Sequence, residues 1–146
     1  MQVSLLLRVR FGECDAQNVV FNARYADYVD VGSTEFMRCM CGGYEQLLAQ
    51  GYDTQVVNLN IDWFSAAHFD EVLRLDVKCI KAGNTSFTLS CGFSAYHDQR
   101  KIALATITYV LINTTALSKT QIPAELKRTL LDDSDHGVIN FAGALQ

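Results

Sequence analysis

The apolar period of this chain changes once, from strand to helix, and then changes back for good. That switch restricts the fold more than any single residue does. Residues 2–11 alternate, with Val3, Leu5, Leu7, Val9 and Phe11 on one face and Arg8 and Arg10 on the other, which is a strand pattern. From Asn22 the period becomes helical. Tyr25, Tyr28, Val29, Gly32, Phe36, Cys39 and Met40 recur on one side, with Asp27, Asp30 and Arg38 mostly on the other. Asn22 is expected to cap this helix, and Gly42-Gly43 to end it. A glycine inside a helix costs stability, so Gly32 on the apolar side points to close contact with a sheet. Tyr44 to Gln50 adds a short turn of helix.

Strand patterns then follow one another with few breaks. Val57, Leu59, Ile61 and Trp63 alternate with Asn58, Asn60, Asp62 and Phe64; Leu73, Leu75, Val77 and Cys79 alternate with Arg74, Asp76 and Lys78. Phe87, Leu89, Cys91, Phe93 and Ala95 alternate with polar or small residues, and turns fit at Lys81–Asn84 and His97–Arg100. Half-polar strands of this kind suit an antiparallel sheet with one buried face. Ile102 to Ile112 is apolar on both faces and is expected to be a central or interface strand. Pro123 is expected at the first position of a helix over Ala124–Leu131. The pattern is lost after Asp132. The expectation is one domain over residues 1–132, α+β, with a long central helix and a five-stranded antiparallel sheet, followed by a loosely ordered tail over 133–146.

Composition narrows the function. With 146 residues, 49% of them hydrophobic and only one Pro, the chain can bury one real core. Its formal net charge of −4 disfavours a nucleic-acid partner, which calls for a basic face. The run Leu5-Leu6-Leu7 is too short for a signal peptide, and its arginines follow it; no stretch reaches membrane-spanning length, so no membrane insertion is expected. Cys14, Cys39, Cys41, Cys79 and Cys91 form no C-x-x-C, and His68, His97 and His136 are scattered, so neither a disulfide framework nor a metal site is read here. The expected setting is the cytoplasm, with most thiols as small buried hydrophobes.

The stretch FGECDAQNVVFNARYADY, Phe11 to Tyr28, places one carboxylate, Asp15, just before the helix start. An isolated Asp in such a place is most simply a turn residue. The run, however, resembles the segment D-x-D-x-x-G-x-V-x-x-x-x-Y of the 4-hydroxybenzoyl-CoA thioesterase-like acyl-CoA hydrolases, which have the hotdog fold. The likeness covers residues 2–130 in the order of the elements, with TQVVNLNIDWF similar to the family's second strand. It implies that Asp15 is the catalytic carboxylate and Tyr25 the tyrosine of the helix. Glu13 stands where the family often has Asp, Thr34 where many relatives carry Arg, and Gln17-Asn18 replace a small residue plus Gly. Asn tolerates the left-handed conformation such a loop requires.

Thioester hydrolysis needs no metal and no cofactor, only a nucleophile or base on one side of the carbonyl and hydrogen-bond donors for the oxyanion on the other. The resemblance implies that Asp15 is nucleophile or general base and that the Asn22 backbone amide, at the helix start, polarises the carbonyl. Asn60 is a candidate for orienting substrate or water in the site of a neighbouring subunit, against the plainer reading of a solvated strand face. Tyr25, Tyr28 and Phe64 are expected along the acyl group. Lys78, Lys81 and Ser86, with Arg100, are the available contacts for the CoA phosphates. Glu13 is expected to be structural. Cys14, with no His near it and apolar neighbours, is set aside as a nucleophile. A hydroxyacyl dehydratase of the same fold would need a His in the Asp15 segment or the helix, and there is none. A non-catalytic acyl-binding or scaffold domain is the remaining alternative. Open sheet edges lead to the expectation of a homodimer with a continuous sheet, doubled to a homotetramer.

Overall fold

Alternating half-polar segments can satisfy their backbone groups only by pairing, and the computed structural model, which describes residues 1–146, pairs them in one sheet. Its strands are β1 (Gln2–Arg8), β2 (Tyr52–Trp63), β3 (Val72–Ala82), β4 (Ser86–Ala95), β5 (Lys101–Asn113), β6 (Ser118–Lys119) and β7 (Asp135–Asn140). They lie in the order β2-β5-β4-β3-β1-β7, with the two-residue β6 beside β5. Seven strands replace the five expected. β5 is central, between β2 and β4, as its two apolar faces required.

The tail departs most from expectation. Residues 135–140 are not loosely ordered but form β7, which runs parallel to β1 and satisfies what would be a bare edge. Arg8 clamps the chain beyond it, donating from Nε to the Ala142 carbonyl at 3.0 Å and from Nη2 to the Ala144 carbonyl at 2.6 Å. Ala142 is buried with Leu6 and Val72. The segment is almost wholly exposed, so it has no apolar alternation to betray it.

Three α-helices, α1 (Arg24–Cys41), α2 (Tyr44–Ala49) and α3 (Ala124–Leu130), and one 3-10 turn, Phe11–Glu13, complete the chain. The start of α1 corrects the sequence reading. Ala23, not Asn22, is the cap residue, and no side chain caps the helix. Instead Phe21–Ala26 enters through bonds from Arg24 to Phe21, Tyr25 to Asn22 and Ala26 to Ala23, a tightened first turn. Pro123 likewise caps α3 instead of opening it. α1 ends as expected at Gly42, in the left-handed region at φ 80°. No helix is long and apolar enough to cross a membrane.

The core lies between α1 and one face of the sheet. Val3 and Leu5, Leu73, Leu75 and Val77, Leu89 and Cys91, and Ala105 are all at 0% exposure on that inner face. α1 meets them through Val29, Gly32 and Phe36. At Gly32 the backbone comes so close that an added Cβ would lie 2.7 Å from Leu75 Cδ2 and 3.0 Å from Val77 Cγ2. Both neighbours are fully buried and have nowhere to go. Gly32→Val is therefore expected to destabilise the fold by about 2 kcal/mol or more, through overpacking and a β-branched residue in a helix. Denaturant unfolding of the variant beside the parent measures it.

Candidate active site

Asp15 sits on a short antiparallel hairpin that precedes α1. Its N–H donates to the Val19 carbonyl (2.9 Å), Phe21 N–H donates to the Glu13 carbonyl (2.9 Å), and Cys14 bridges Val20. The tip, Asp15–Asn18, turns with Asn18 at φ 61°, the left-handed conformation that its side chain tolerates. Val20 N–H reaches the Ala67 carbonyl at 2.8 Å and Val19 bridges His68, so the hairpin is fastened to the loop between β2 and β3. Cys14 and Val20 anchor it to the core on the α1 side of the sheet.

The Asp15 carboxylate is half-buried. One oxygen, Oδ1, accepts from Gln17 N–H at 2.8 Å, a turn bond of the ordinary Asp kind. Its Oδ2 accepts no hydrogen bond from the protein. At the other end of the hairpin the N–H groups of Asn22 and Ala23 donate to no protein acceptor, and both residues are exposed. The loss of Asn22 as a side-chain cap does not remove its amide as a donor, because the first N–H groups of any helix lack partners within it. A carboxylate oxygen and a pair of unengaged amides thus lie at the two ends of one hairpin. That pairing can attack or deprotonate on one side and hold negative charge on the other.

The remaining expected residues separate into two groups. Tyr25 and Tyr28 are on the α1 side but inside the core, at 2% and 5% exposure. Tyr25 packs edge-on against Trp63 and Phe93. Burial pushes its phenol up to about 12, keeping it neutral. Tyr28 donates its hydroxyl to Glu13 Oε1 at 3.0 Å. Within one chain Tyr25 is enclosed in the core, while Tyr28 borders a cleft beside Glu13. Exposed aromatic surface beside the hairpin comes instead from Phe21, Phe11 and Phe69, the last two in edge-to-face contact with centroids 5.8 Å apart. Sequence reading missed Phe69, whose relation to the hairpin exists only through the His68–Val19 bridge.

Asn60, Lys78, Lys81 and Ser86 all lie on the outer face of the sheet, opposite α1. The register puts Asn60, Thr106, Ser90 and Lys78 in one row across β2, β5, β4 and β3. Three strand spacings separate its ends by roughly 14 Å. Asn60 donates to Asp62 Oδ2 at 3.2 Å. Phe64, 59% exposed, borders an outer-face hollow of about 260 Å³ with Gly92, Lys101 and Leu104. The Arg100 guanidinium is engaged by Glu71 (2.6 Å), Asp98 (2.9 Å) and the Ala66 carbonyl (3.1 Å). Burial, with the Asp15 and Glu13 charges, pushes the Cys14 thiol up, away from thiolate chemistry.

Residues 17–101, more than half of the chain, match the model of the thioesterase superfamily. The chain belongs to that superfamily. It is a thioester hydrolase by membership; the match begins just after Asp15, so the carboxylate stands on the geometry above. A putative esterase from Aquifex aeolicus is 22% identical over 125 residues, covering 86% of this chain and 94% of that protein. A 1,4-dihydroxy-2-naphthoyl-CoA thioesterase from Synechocystis superposes with a TM-score of 0.81 at 16% identity, over 91% of this chain and 98% of that one. A 4-hydroxybenzoyl-CoA thioesterase variant complexed with 4-hydroxybenzoyl-CoA gives 0.79 at 20% identity, over 88% and 98%. The shared architecture is the hotdog fold.

Glu13 is the buried charge of the hairpin, at 6% exposure. Burial pushes its carboxyl up, but the hydrogen bonds from Arg10 and Tyr28 outweigh that and hold it below the ordinary carboxylate range. Arg8, Arg10, Asp27, Tyr28 and Glu35 line the same cleft of about 400 Å³. A folded-state value below the unfolded one means stability that is present above pH ~4.3, the ordinary Glu value, and is lost as pH falls through the lower folded value. Melting temperature measured from pH 6 to pH 2.5 is therefore expected to fall less steeply for Glu13→Gln than for the parent.

Proposed function

We propose that this enzyme hydrolyses an acyl-CoA to the free acid and CoA, with Asp15 as nucleophile or general base and the Asn22 backbone amide polarising the thioester carbonyl. The observation that carries the reading is the free Oδ2 of Asp15 set against the unengaged amides at the start of α1. As base, Asp15 takes a proton from water as that water adds to the carbonyl carbon. As nucleophile, it adds directly, and water then hydrolyses the mixed anhydride. Either way the carbonyl oxygen gains negative charge, which the helix-start amides and the helix dipole hold, and the CoA thiolate leaves. The exposed rings of Phe11, Phe21 and Phe69 suit an acyl or aromatic acyl group beside Asp15. The CoA-complexed thioesterase above supports a CoA ester as substrate. Five free thiols suit the proposed cytoplasmic setting.

Replacing Asp15 with Asn keeps shape and turn bonding but removes the charge. Turnover of a panel of straight-chain and aromatic acyl-CoAs is expected to fall at least ~100-fold, the scale of a lost general base, with the melting temperature nearly unchanged. Parent-like turnover in the folded variant would end the proposed mechanism. A non-catalytic acyl-binding domain would bind the panel and release no thiol in either form.

Asn60, Lys78, Lys81 and Ser86 cannot reach Asp15 within one chain, so their service to the same substrate requires a second copy. β2 offers the place for it. It is an edge strand of 12 residues that exposes Val56, Val57 and Leu59 and has no neighbour on its free side. β7, in contrast, covers the other edge. We propose a homodimer joined along β2, doubled to a homotetramer, with sites between subunits. Sedimentation at micromolar concentration is expected to give two or four chains per particle; a stable monomer there would remove the shared-site proposal.

A further inference from the structure

Nothing in the chemistry proposed for Asp15 uses the polar cluster around the buried carboxylate Glu13, at the base of its hairpin. Glu13 Oε1 accepts from the Arg10 backbone N–H at 2.8 Å and from the Tyr28 hydroxyl at 3.0 Å; Oε2 accepts from Arg10 Nη2 at 3.0 Å. The Glu13 carbonyl accepts from Phe21 N–H at 2.9 Å. One residue is therefore bonded through its side chain to α1 and through its main chain to the residue just before Asn22. Asp15 follows two positions later.

We propose that Glu13 is a positioning residue for thioester hydrolysis, tying the Asp15 hairpin to α1 so that the carboxylate and the Asn22 amide keep a fixed separation. This rests on the active-site reading above. Three features argue for it. First, the Tyr28 ring cannot swing, since it packs on Tyr25 and Phe93 inside the core, so its hydroxyl is a fixed point on α1. Second, the Glu13–Tyr28 bond itself is buried, where a hydrogen bond to a charge is strong and directional. Third, burying a carboxylate is a poor way to gain stability, because a well-packed apolar residue commonly does as well or better. What the carboxylate adds is geometry: two acceptor atoms that meet two donors of Arg10, in its own turn, and one of Tyr28 on α1. Without it the hairpin keeps its bridge to His68, its bond to Ala67 and the Arg24–Phe21 bond at the start of α1, but the strand that carries Asp15 loses its side-chain bond to Tyr28.

Reaction rate is steep in such a distance, with displacements near ~1 Å able to cost ~100-fold. The test is steady-state kinetics on a hydrolysed acyl-CoA for Glu13→Gln, Tyr28→Phe and the double variant, with Asp15→Asn alongside. Glu13→Gln keeps the shape but turns an amide donor toward the Arg10 guanidinium; Tyr28→Phe removes one hydroxyl and leaves the ring packing intact. We expect kcat to fall on the order of 10- to 100-fold in Glu13→Gln and by roughly 3-fold or more in Tyr28→Phe, with KM within about twofold of the parent. The double variant should lose little more than Glu13→Gln alone, since both break one link. A role in packing only would lower the melting temperature and leave kcat per folded molecule at the parent value. If Glu13→Gln does not fold, Tyr28→Phe decides by the same kcat measurement. Parent-like kcat in the folded variants, with Asp15→Asn inactive, overturns the positioning role and leaves the active site standing. Parent-like turnover in Asp15→Asn overturns the active-site reading, and this inference with it.

Discussion

Contact between the backbone of α1 at Gly32 and the Leu75 and Val77 side chains of β3 is the constraint on which the rest of the molecule depends. A helix carrying any side chain at that position would have to stand farther off the sheet or rotate about its axis. Either change would be carried along α1 to its first turn, where Tyr25 and Tyr28 enter the core and the Asn22 and Ala23 amides are left free. The close approach in the middle of the helix thereby sets the position of the donors at its end. Because the interior is packed to the density of a solid, that position has little slack.

The Asp15 hairpin is held more lightly. It has one main-chain bond to Ala67 and a bridge to His68, Val20 in the core with the half-buried Cys14 packed against it, and the Glu13–Tyr28 link to α1. It borrows rigidity from α1 on one side and from the β2–β3 loop on the other. That loop is in turn braced by Arg100, whose guanidinium joins Glu71, Asp98 and the Ala66 carbonyl. A carboxylate that must stay partly open to substrate cannot be buried to fix it, so its supports lie to either side along the hairpin, at Glu13 two residues before it and at Val19 and Val20 four and five residues after it.

The two faces of the sheet carry different chemistry, and the open edge of β2 is where they meet. On the inner face apolar residues close over α1; on the outer face Thr88 and Thr108 pair at 2.9 Å within rows of polar side chains that run from β2 to β3. β7 closes the far edge and leaves β2 as the one long strand without a partner on its free side. An edge of that length with exposed Val56, Val57, Leu59 and Trp63 is unfavourable in water.

Local pattern in the sequence determined the element order from β1 to β5, the helix end at Gly42, the left-handed Asn18, the central place of Ile102–Ile112 and the tight contact at Gly32. Each follows from period, from the special freedom of Gly and Asn, or from the cost of a glycine inside a helix, and these act within a few residues. The helix start was misread because Asn22 has a good capping side chain, while the actual entry is a tightened turn that uses none. β7 was missed because a strand that only covers an edge needs no apolar face. Tyr28 sat correctly on the apolar side of α1, yet its hydroxyl partner lies 15 residues away, and periodicity carries no information about that. Glu13 was legible as structural but not as the link between hairpin and helix. Asn60 and Lys78 share a sheet face by register, an outcome of four strands pairing, and only that pairing decided that they stand apart from Asp15. Chain-local sterics and hydropathy are written in the sequence; which polar atoms meet across distant elements is decided by packing.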